Sequence, residues 1–262
     1  MKQISSLSNP LIKYLLQLQK KSKLRRDDGT FVIEGLQELS YAIEAGYEFL
    51  QILVCPSIFR NQIELGTNAY KVIEITEELF NKITYRSSSG GVIAIAKSKN
   101  LTLEDLKFST KTPLILVAEA PEKPGNIGAL LRTADAANID AIIIANPKTD
   151  LYNPNIIRSS VGTLFTSQIS SGTTSEIIKF LKNNDIQIFA AALQDASSYL
   201  KEDFTTATAI VVGTEHEGLS QIWRSQANKI VKIPMEGKVD SLNVSVSAAI
   251  LIFEAKRQRN IF

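Results

Sequence analysis

The sequence predicts an α/β protein: a C-terminal, mainly parallel sheet with helices on both faces, preceded by a small α/β domain. Two observations carry this. PLILVAEA (Pro113 to Ala120) and AIIIANP (Ala141 to Pro147) are nearly continuous apolar strands, the pattern of a sheet buried on both faces. Helical stretches alternate with such strands, which is the βαβ order of a parallel sheet. With 262 residues, 44% of them hydrophobic and 21% charged, the chain can bury one large or two modest cores.

Taken in order, Asn9 to about Lys21 fits a helix with Leu11, Ile12, Leu15, Leu16 and Leu18 on its apolar face. Asp27-Asp28-Gly29 breaks it. FVIEG (Phe31 to Gly35) predicts a strand, Leu36 to Ala45 a helix and Phe49 to Cys55 a second strand. Val72 to Ile75 and Val92 to Ala96 are further strands, with a short helix from Glu77 to Lys82 between them. The turn Arg86-Ser87-Ser88-Ser89-Gly90-Gly91 presents amides and one cation, so it serves either as a plain connection or as a contact for an RNA backbone. Ser98 to Thr112 is lysine-rich and weakly patterned, as a connection between domains would be. The expected division is 1–100, a linker at 101–112 and 113–262.

Asn153 to Phe165 and Thr173 to Lys182 continue the second half as helices, Ile186 to Ala192 and Ala209 to Val212 as strands. The last stretch opens with the turn Ile233-Pro234-Met235-Glu236-Gly237 and becomes a buried helix through Ala248, Ala249, Ile250, Leu251, Ile252 and Phe253. Asp240 or Ser241 is placed to cap it. Ser241, Asn243, Ser245 and Ser247 alternate there with Leu242, Val244 and Val246, and small polar residues at a buried helix start need partners. They either cap and fill space, or line a ligand pocket and lend Ser241 and Asn243 to chemistry.

Composition excludes several classes. One cysteine, Cys55, cannot form an internal disulfide, and one histidine, His216, leaves too few ligands for a structural zinc site, so no metal is expected. No apolar run spans a membrane and MKQISSLSNP lacks the apolar core of a signal peptide, so a cytoplasmic protein with no membrane partner is expected. Net charge is only +2. Two basic clusters, Lys20, Lys21, Lys23, Arg25 and Arg26, and Lys256, Arg257 and Arg259, either meet phosphates or face water as helix ends.

Two further stretches bear on chemistry. PGNIGALLR (Pro124 to Arg132) follows a strand but gives G-x-x-G, not G-x-G-x-x-G, and no acidic residue ends the next strand to hold a ribose; no G-K-[ST] follows either. That disfavours a nucleotide-binding oxidoreductase and a P-loop. Arg132 lies about one and a half turns beyond Asn126, either as a surface ion-pair residue or on a shared face near the helix start. AIVVGTEHEGLS ends a buried strand in Gly213 and then turns through Thr214, Glu215, His216, Glu217 and Gly218 at the edge where open parallel sheets bind ligands. His216 reads as a solvent-facing turn residue, and Glu215 and Glu217 point different ways or pair.

In this order, N-I-G-x-x-x-R, G-x-E-x-x-G-L and I-P-M-x-G-x-x-x-S-L-N-V-S-V-S-A-A-I resemble the three motifs of the SpoU (TrmH) branch of the SPOUT class of RNA methyltransferases, over roughly Leu114 to Arg259. The first hundred residues look like the L30-like substrate-binding domain of rRNA-modifying members. The resemblance implies S-adenosyl-L-methionine as methyl donor, a ribose 2′-hydroxyl as acceptor, rRNA favoured over tRNA, a homodimer and a deep trefoil knot. It implies that Gly213, Ile233 and Leu242 contact the cofactor, with Thr214, Glu215, Gly218, Pro234 and Met235 shaping its pocket. It also implies a catalytic set of Asn126, Arg132, Glu215, Ser241 and Asn243, with Arg132 working across the dimer. Asn138 stands where the family often has glycine, and asparagine tolerates the left-handed conformation needed there. Arginine is not deprotonated at ordinary pH, so Arg132 is expected to grip a phosphate and stabilise developing alkoxide charge. Ser245, Ala248 and Ala249 would form the close-packing face for a partner subunit. The rival from another class is a catalytically silent RNA-binding relative.

Overall fold

The computed structural model describes residues 3–59, 71–85, 89–214, 217–239 and 241–259. In chain order its elements are α1 (Pro10–Lys20), α2 (Ser22–Asp28), β1 (Thr30–Glu34), α3 (Leu36–Glu44), β2 (Phe49–Val54), β3 (Lys71–Glu74), α4 (Glu77–Ile83), β4 (Val92–Lys97), β5 (Leu114–Glu119), α5 (Pro124–Ala136), β6 (Ala141–Ala145), α6 (Pro154–Ser159), β7 (Ile169–Gly172), α7 (Thr174–Asn183), β8 (Gln187–Ala191), β9 (Ser197–Ser198), β10 (Thr208–Val212), α8 (Gln221–Gln226), β11 (Lys229–Lys232) and α9 (Val244–Gln258). They form two compact units, Met1–Asn100 with Thr149–Thr166, and Leu101–Lys148 with Ser167–Phe262.

In the first unit, α1 starts where Asn9 accepts from the amide of Leu11 and Pro10 fixes the first helical φ. Its apolar face behaves as the spacing predicts. Ile12, Leu15 and Leu18 are fully buried against Val32, Leu53, Phe80 and Ile93, with Leu11 and Leu16 partly buried beside them. After α2, Gly29 takes a left-handed conformation and releases the chain into β1. The sheet order is β1-β4-β2-β3, with β4 antiparallel to both neighbours and β2 parallel to β3.

Thr149–Thr166 packs within this same unit. Asp150 forms a two-point pair with buried Arg25, at 3.0 Å to Nε and 2.6 Å to Nη2. The Tyr152 ring lies 4.4 Å from that of Phe31, and its hydroxyl meets that of Tyr47 at 3.2 Å. The helix expected over Asn153 to Phe165 stops at Ser159, because Val161 and Gly162 take positive φ values of 55° and 84°. A side chain at Gly162 would meet the Cα of Glu38 and the ring of Tyr41 at 3.1 Å, so the close approach requires glycine.

The second unit is a seven-stranded sheet, β7-β6-β5-β10-β8-β11-β9, in which every neighbouring pair is parallel. Both faces are covered, which explains the unbroken apolar strands. Ile115, Val117, Ile143 and Val211 pack with Ile177 and Leu181 of α7 and Trp223 of α8. The alternate residues Leu116, Ile142, Ile144 and Ile210 are also buried, on the face where α5 and α9 pack against each other and against β6, β5 and β10. Residues 101–112 lie against this unit. Leu103 enters its core, and Leu101 accepts from the amide of Ser171.

Two details sharpen the sequence reading. Asn138 takes φ 44° after α5, the left-handed conformation expected of it, and its carbonyl accepts from buried Lys256 at 3.3 Å. The C-terminal basic cluster therefore faces neither phosphate nor water as a group. Lys256 is internal, Arg257 pairs with Glu254, and Arg259 donates to the carbonyls of Phe204, Thr112 and Thr206. In the first cluster Arg25 is buried against Asp150, while Lys20, Lys21, Lys23 and Arg26 are exposed.

A candidate active site at the carboxyl edge of the parallel sheet

Because β5, β10, β8 and β11 are parallel neighbours, their carboxyl ends open on one edge. The loop after β10 is closed on itself there. Thr214 and Gly218 exchange two backbone hydrogen bonds of 3.1 Å, and the Glu217 amide donates to the Thr214 hydroxyl at 3.0 Å. A Cβ on Gly213 would stand 2.2 Å from the carbonyl of Gly218, so this approach admits glycine alone. Glu215 and His216 lie outside the described residues.

A buried carboxylate anchors the far end of this loop. Glu119, the last residue of β5, accepts from the amide of Ser220 at 2.8 Å and from the hydroxyl of Thr174 at 3.3 Å. Thr174 in turn accepts from Asn146 at 2.8 Å. Sequence reasoning missed Glu119 and Asn146. The available signal was a charged residue closing an otherwise apolar strand, a position that is buried only when its charge is hydrogen-bonded.

The third element is the approach to α9. Ile233–Val239 follows β11 without entering a strand or helix, and the helix begins later than expected. Its cap is Asn243, not Asp240 or Ser241. The Asn243 side-chain oxygen accepts from the amide and the hydroxyl of Ser245 at 2.9 and 2.6 Å, and Asp240 lies outside the described residues. That leaves the Asn243 amide nitrogen to donate to Asn126 at 3.3 Å, joining the first turns of α9 and α5. Arg132 is exposed, six residues further along α5.

Between these elements lies a cavity of about 440 Å³, within the range of small-molecule sites. Gly213, Thr214, Gly218, Ile233, Met235, Leu242 and Ser241 line it. Pro234 sits between two lining residues without lining the cavity itself, and Asn126, Asn243 and Arg132 stand outside it. Sequence reasoning missed a further wall, Ala191 to Gln194 at the end of β8, and Arg224 of α8, whose Nη1 donates to Gln194 at 3.0 Å. Val212, Leu219, Val231, Val244 and Leu251 make most of the remaining walls apolar. Mostly apolar walls with a few polar side chains are the usual lining of a small-molecule site.

Residues 113–253 match the model of the SpoU rRNA Methylase family, and residues 9–94 match that of the MRM3-like substrate binding domain. The chain is 28% identical to the 23S rRNA (guanosine(2553)-2'-O)-methyltransferase RlmP of Bacillus subtilis, across 98% of this chain and 100% of that protein. A solved RNA 2'-O ribose methyltransferase is 38% identical, with a TM-score of 0.82 over 99% of this chain and all of its own. The AdoMet-bound rRNA methyltransferase from Sinorhizobium meliloti is 26% identical, with a TM-score of 0.89 over 98% of this chain and 97% of its own.

Proposed function

The chain belongs to the SpoU rRNA Methylase family, and from that premise we propose that the cavity at the sheet edge is where S-adenosyl-L-methionine gives its methyl group to a ribose 2′-hydroxyl of rRNA. The protein is an S-adenosylmethionine-dependent RNA 2′-O-methyltransferase. The observation that carries the cofactor assignment is the convergence on one cavity of Gly213, Thr214, Gly218, Ile233, Met235 and Leu242, which come from the two loops on either side of α8 and β11. The family motif assigns Pro234 and Glu215 to the same pocket.

When bound, S-adenosylmethionine would supply a sulfonium methyl carbon for transfer to the 2′-oxygen, with a neutral thioether as the leaving group. The loop closed by Gly213 and Gly218 and the segment Ile233–Met235 hold the heterocycle, so that the transferring methyl is fixed before the ribose arrives. Ser241 lines the cavity, and Asn243 is anchored on Asn126; these side chains orient the ribose by hydrogen bonds. Arg132 grips the phosphate next to the target ribose and stabilises charge developing on its oxygen, while that phosphate or a water takes the proton.

The active form in this reading is a cytoplasmic homodimer with Arg132 supplied by the partner subunit. Its support is a stripe on α9. Val246 and Phe253 are 46% and 40% exposed, with Ala249 and Ile250 between them at helical spacing. Ala248, expected on the dimer face, is instead fully buried within the subunit. The deep trefoil knot belongs to the same proposal, supported by the return of α9 from β11, across β8, to pack on β10, β5 and α5.

Calorimetric titration with S-adenosylmethionine and with NAD tests the assignment together with transfer of labelled methyl to total rRNA. Saturable binding of S-adenosylmethionine and incorporation at a 2′-oxygen are expected. Tight binding of NAD with none of S-adenosylmethionine overturns it.

A further inference from the structure

Tyr85, just past the end of α4 in the first unit, is 71% exposed, a large aromatic surface left in water although its position is well fixed. Its amide donates to both carboxylate oxygens of Glu34, the last residue of β1, at 2.9 and 3.0 Å. The carbonyl of Ile83, two residues earlier, accepts from Gln19 of α1 at 2.9 Å. The guanidinium of Arg158 lies over the ring, 4.2 Å from its centroid, and is itself held by Asn155 on α6. Gln19, Pro154 and Ile157 line the shallow cleft beside the ring. The next residues along α1 and α2 bring the exposed cations Lys20, Lys21, Lys23 and Arg26.

An exposed aromatic ring backed by a guanidinium, on a unit that also carries a run of exposed cations, is the arrangement that binds unpaired nucleotides. The base stacks on the ring, the guanidinium adds a cation–π contact, and the phosphates follow the lysines. A protein partner would be expected to find an apolar surface around the ring, whereas Gln19, Glu34 and Arg158 border this one, and Gln19 is followed in the chain by the exposed cations Lys20, Lys21, Lys23 and Arg26. We propose that Tyr85 and Arg158 form a base-stacking site for single-stranded RNA. An unpaired nucleobase lies on Tyr85 and its flanking phosphates meet Lys20, Lys21, Lys23 and Arg26. The site rests on the methyltransferase reading only for which RNA it holds, since stacking is independent of methyl transfer.

The test uses the full chain and a short single-stranded RNA carrying 2-aminopurine, with the same sequence as a duplex for comparison. Wild type should bind the single strand more tightly than the duplex and quench the 2-aminopurine fluorescence. Tyr85→Phe should match wild type, Tyr85→Ala should bind about tenfold more weakly without the quench, and Lys20→Ala with Lys23→Ala should flatten the salt dependence. Exposure of Tyr85 makes an unchanged melting temperature the expected control. Tyr85→Ala binding as tightly as wild type, or Tyr85→Phe as weak as Tyr85→Ala, overturns the proposal, and so does a wild type that binds S-adenosylmethionine but prefers the duplex. Quenching that depends on Tyr85 in a protein that binds no S-adenosylmethionine leaves the stacking site standing and removes the cofactor reading instead.

Discussion

Asn243 donates to Asn126 at 3.3 Å, so two residues 117 positions apart in the chain tie the first turn of α9 to the first turn of α5. The same Asn243 caps α9 through its oxygen, so one side chain has a structural task and a positioning task. These tasks can be separated. Asn243→Asp keeps the accepting oxygen and removes the donor to Asn126. It should leave thermal stability within about 0.5 kcal/mol, because aspartate and asparagine cap equally well, yet lower kcat at saturating S-adenosylmethionine by more than tenfold. Asn243→Ala should lose the cap as well, at a cost of about 1 kcal/mol. Chemical denaturation beside single-turnover methyl transfer measures both.

Gly213→Ala should abolish cofactor binding without unfolding the sheet. The added carbon would stand 2.2 Å from the carbonyl of Gly218 and 2.4 Å from the amide of Leu219, both backbone atoms with no rotamer to yield. The loop must open, and the two bonds between Thr214 and Gly218 break with it. A titration should show S-adenosylmethionine affinity reduced by at least about tenfold, a loss of 1.4 kcal/mol or more. Unaltered affinity would mean that the loop does not hold the cofactor.

The Arg25–Asp150 pair predicts a stability effect remote from the chemistry. Both side chains are nearly inaccessible, at 4% and 9% exposure. Asp150→Ala strands a buried guanidinium and should cost about 3–5 kcal/mol in urea unfolding. Replacing both partners, Arg25→Met with Asp150→Leu, should recover most of the loss. Recovery stays incomplete because Arg25 also donates to the carbonyl of Leu18 at 2.5 Å, an acceptor that methionine leaves unmet.

Tyr47 and Tyr152 predict how the protein fails in alkali. Burial favours the neutral form of both phenols, pushing Tyr47 well above the ordinary tyrosine value of 10.0, with the facing Tyr152 adding to that shift, and raising Tyr152 against the opposing effect of its hydrogen bonds with Tyr47 and the Lys99 backbone. A raised value in the folded state means that the unfolded chain releases these protons first. The stability contribution is therefore intact below about pH 10 and declines above it, by up to about 1.4 kcal/mol per pH unit for each group. Urea midpoints between about pH 9 and pH 11 should fall steeply in wild type and less in Tyr47→Phe, which starts about 1 kcal/mol lower through its lost hydrogen bond.

Much of this architecture could be read from residue patterns. The nearly continuous apolar strands β5, β6 and β10 announce a sheet buried on both faces, and their bounds differ from expectation by a residue or two. What escaped notice has physical reasons. β11, KIVK, is four residues long with a charge at each end, and β7 spends half its length on serine, so neither shows the apolar run that marks a central strand. The helix over Asn153 to Phe165 has helical spacing throughout, but Val161 adopts a positive φ that its sequence neighbours give no hint of. At the site, glycines and the ordered set of motifs mark the loops, whereas Glu119 and the β8 wall join it only through strand order. Sheet neighbours are non-local, and local pattern does not encode them. The turn at Arg86, Ser87 and Ser88, read as a possible RNA contact, lies outside the described residues.

Arg132 offers the most demanding test, because it is exposed on α5 and does not line the cavity, and the proposed dimer has a second subunit deliver it to the ribose. Arg132→Ala should remove turnover while sparing S-adenosylmethionine binding, and Arg132→Lys should remain at least tenfold impaired, since an ammonium lacks the planar fork that grips phosphate at two points. The dimer makes a sharper forecast. A subunit with Arg132→Ala keeps a sound pocket, and one with Gly213→Ala keeps a sound arginine. Random pairing of equal amounts makes half the dimers mixed, and each mixed dimer rebuilds one of its two sites if the arginine crosses between subunits. Co-refolded material should then show about a quarter of wild-type methyl transfer, from two proteins that are each inactive alone. An arginine serving its own subunit would restore nothing, because no chain in the mixture would carry both a sound pocket and a sound arginine. Ala249→Phe, placed in the exposed stripe of α9, should give monomer in sedimentation and abolish the complementation, which separates loss of the dimer from loss of the residue it delivers.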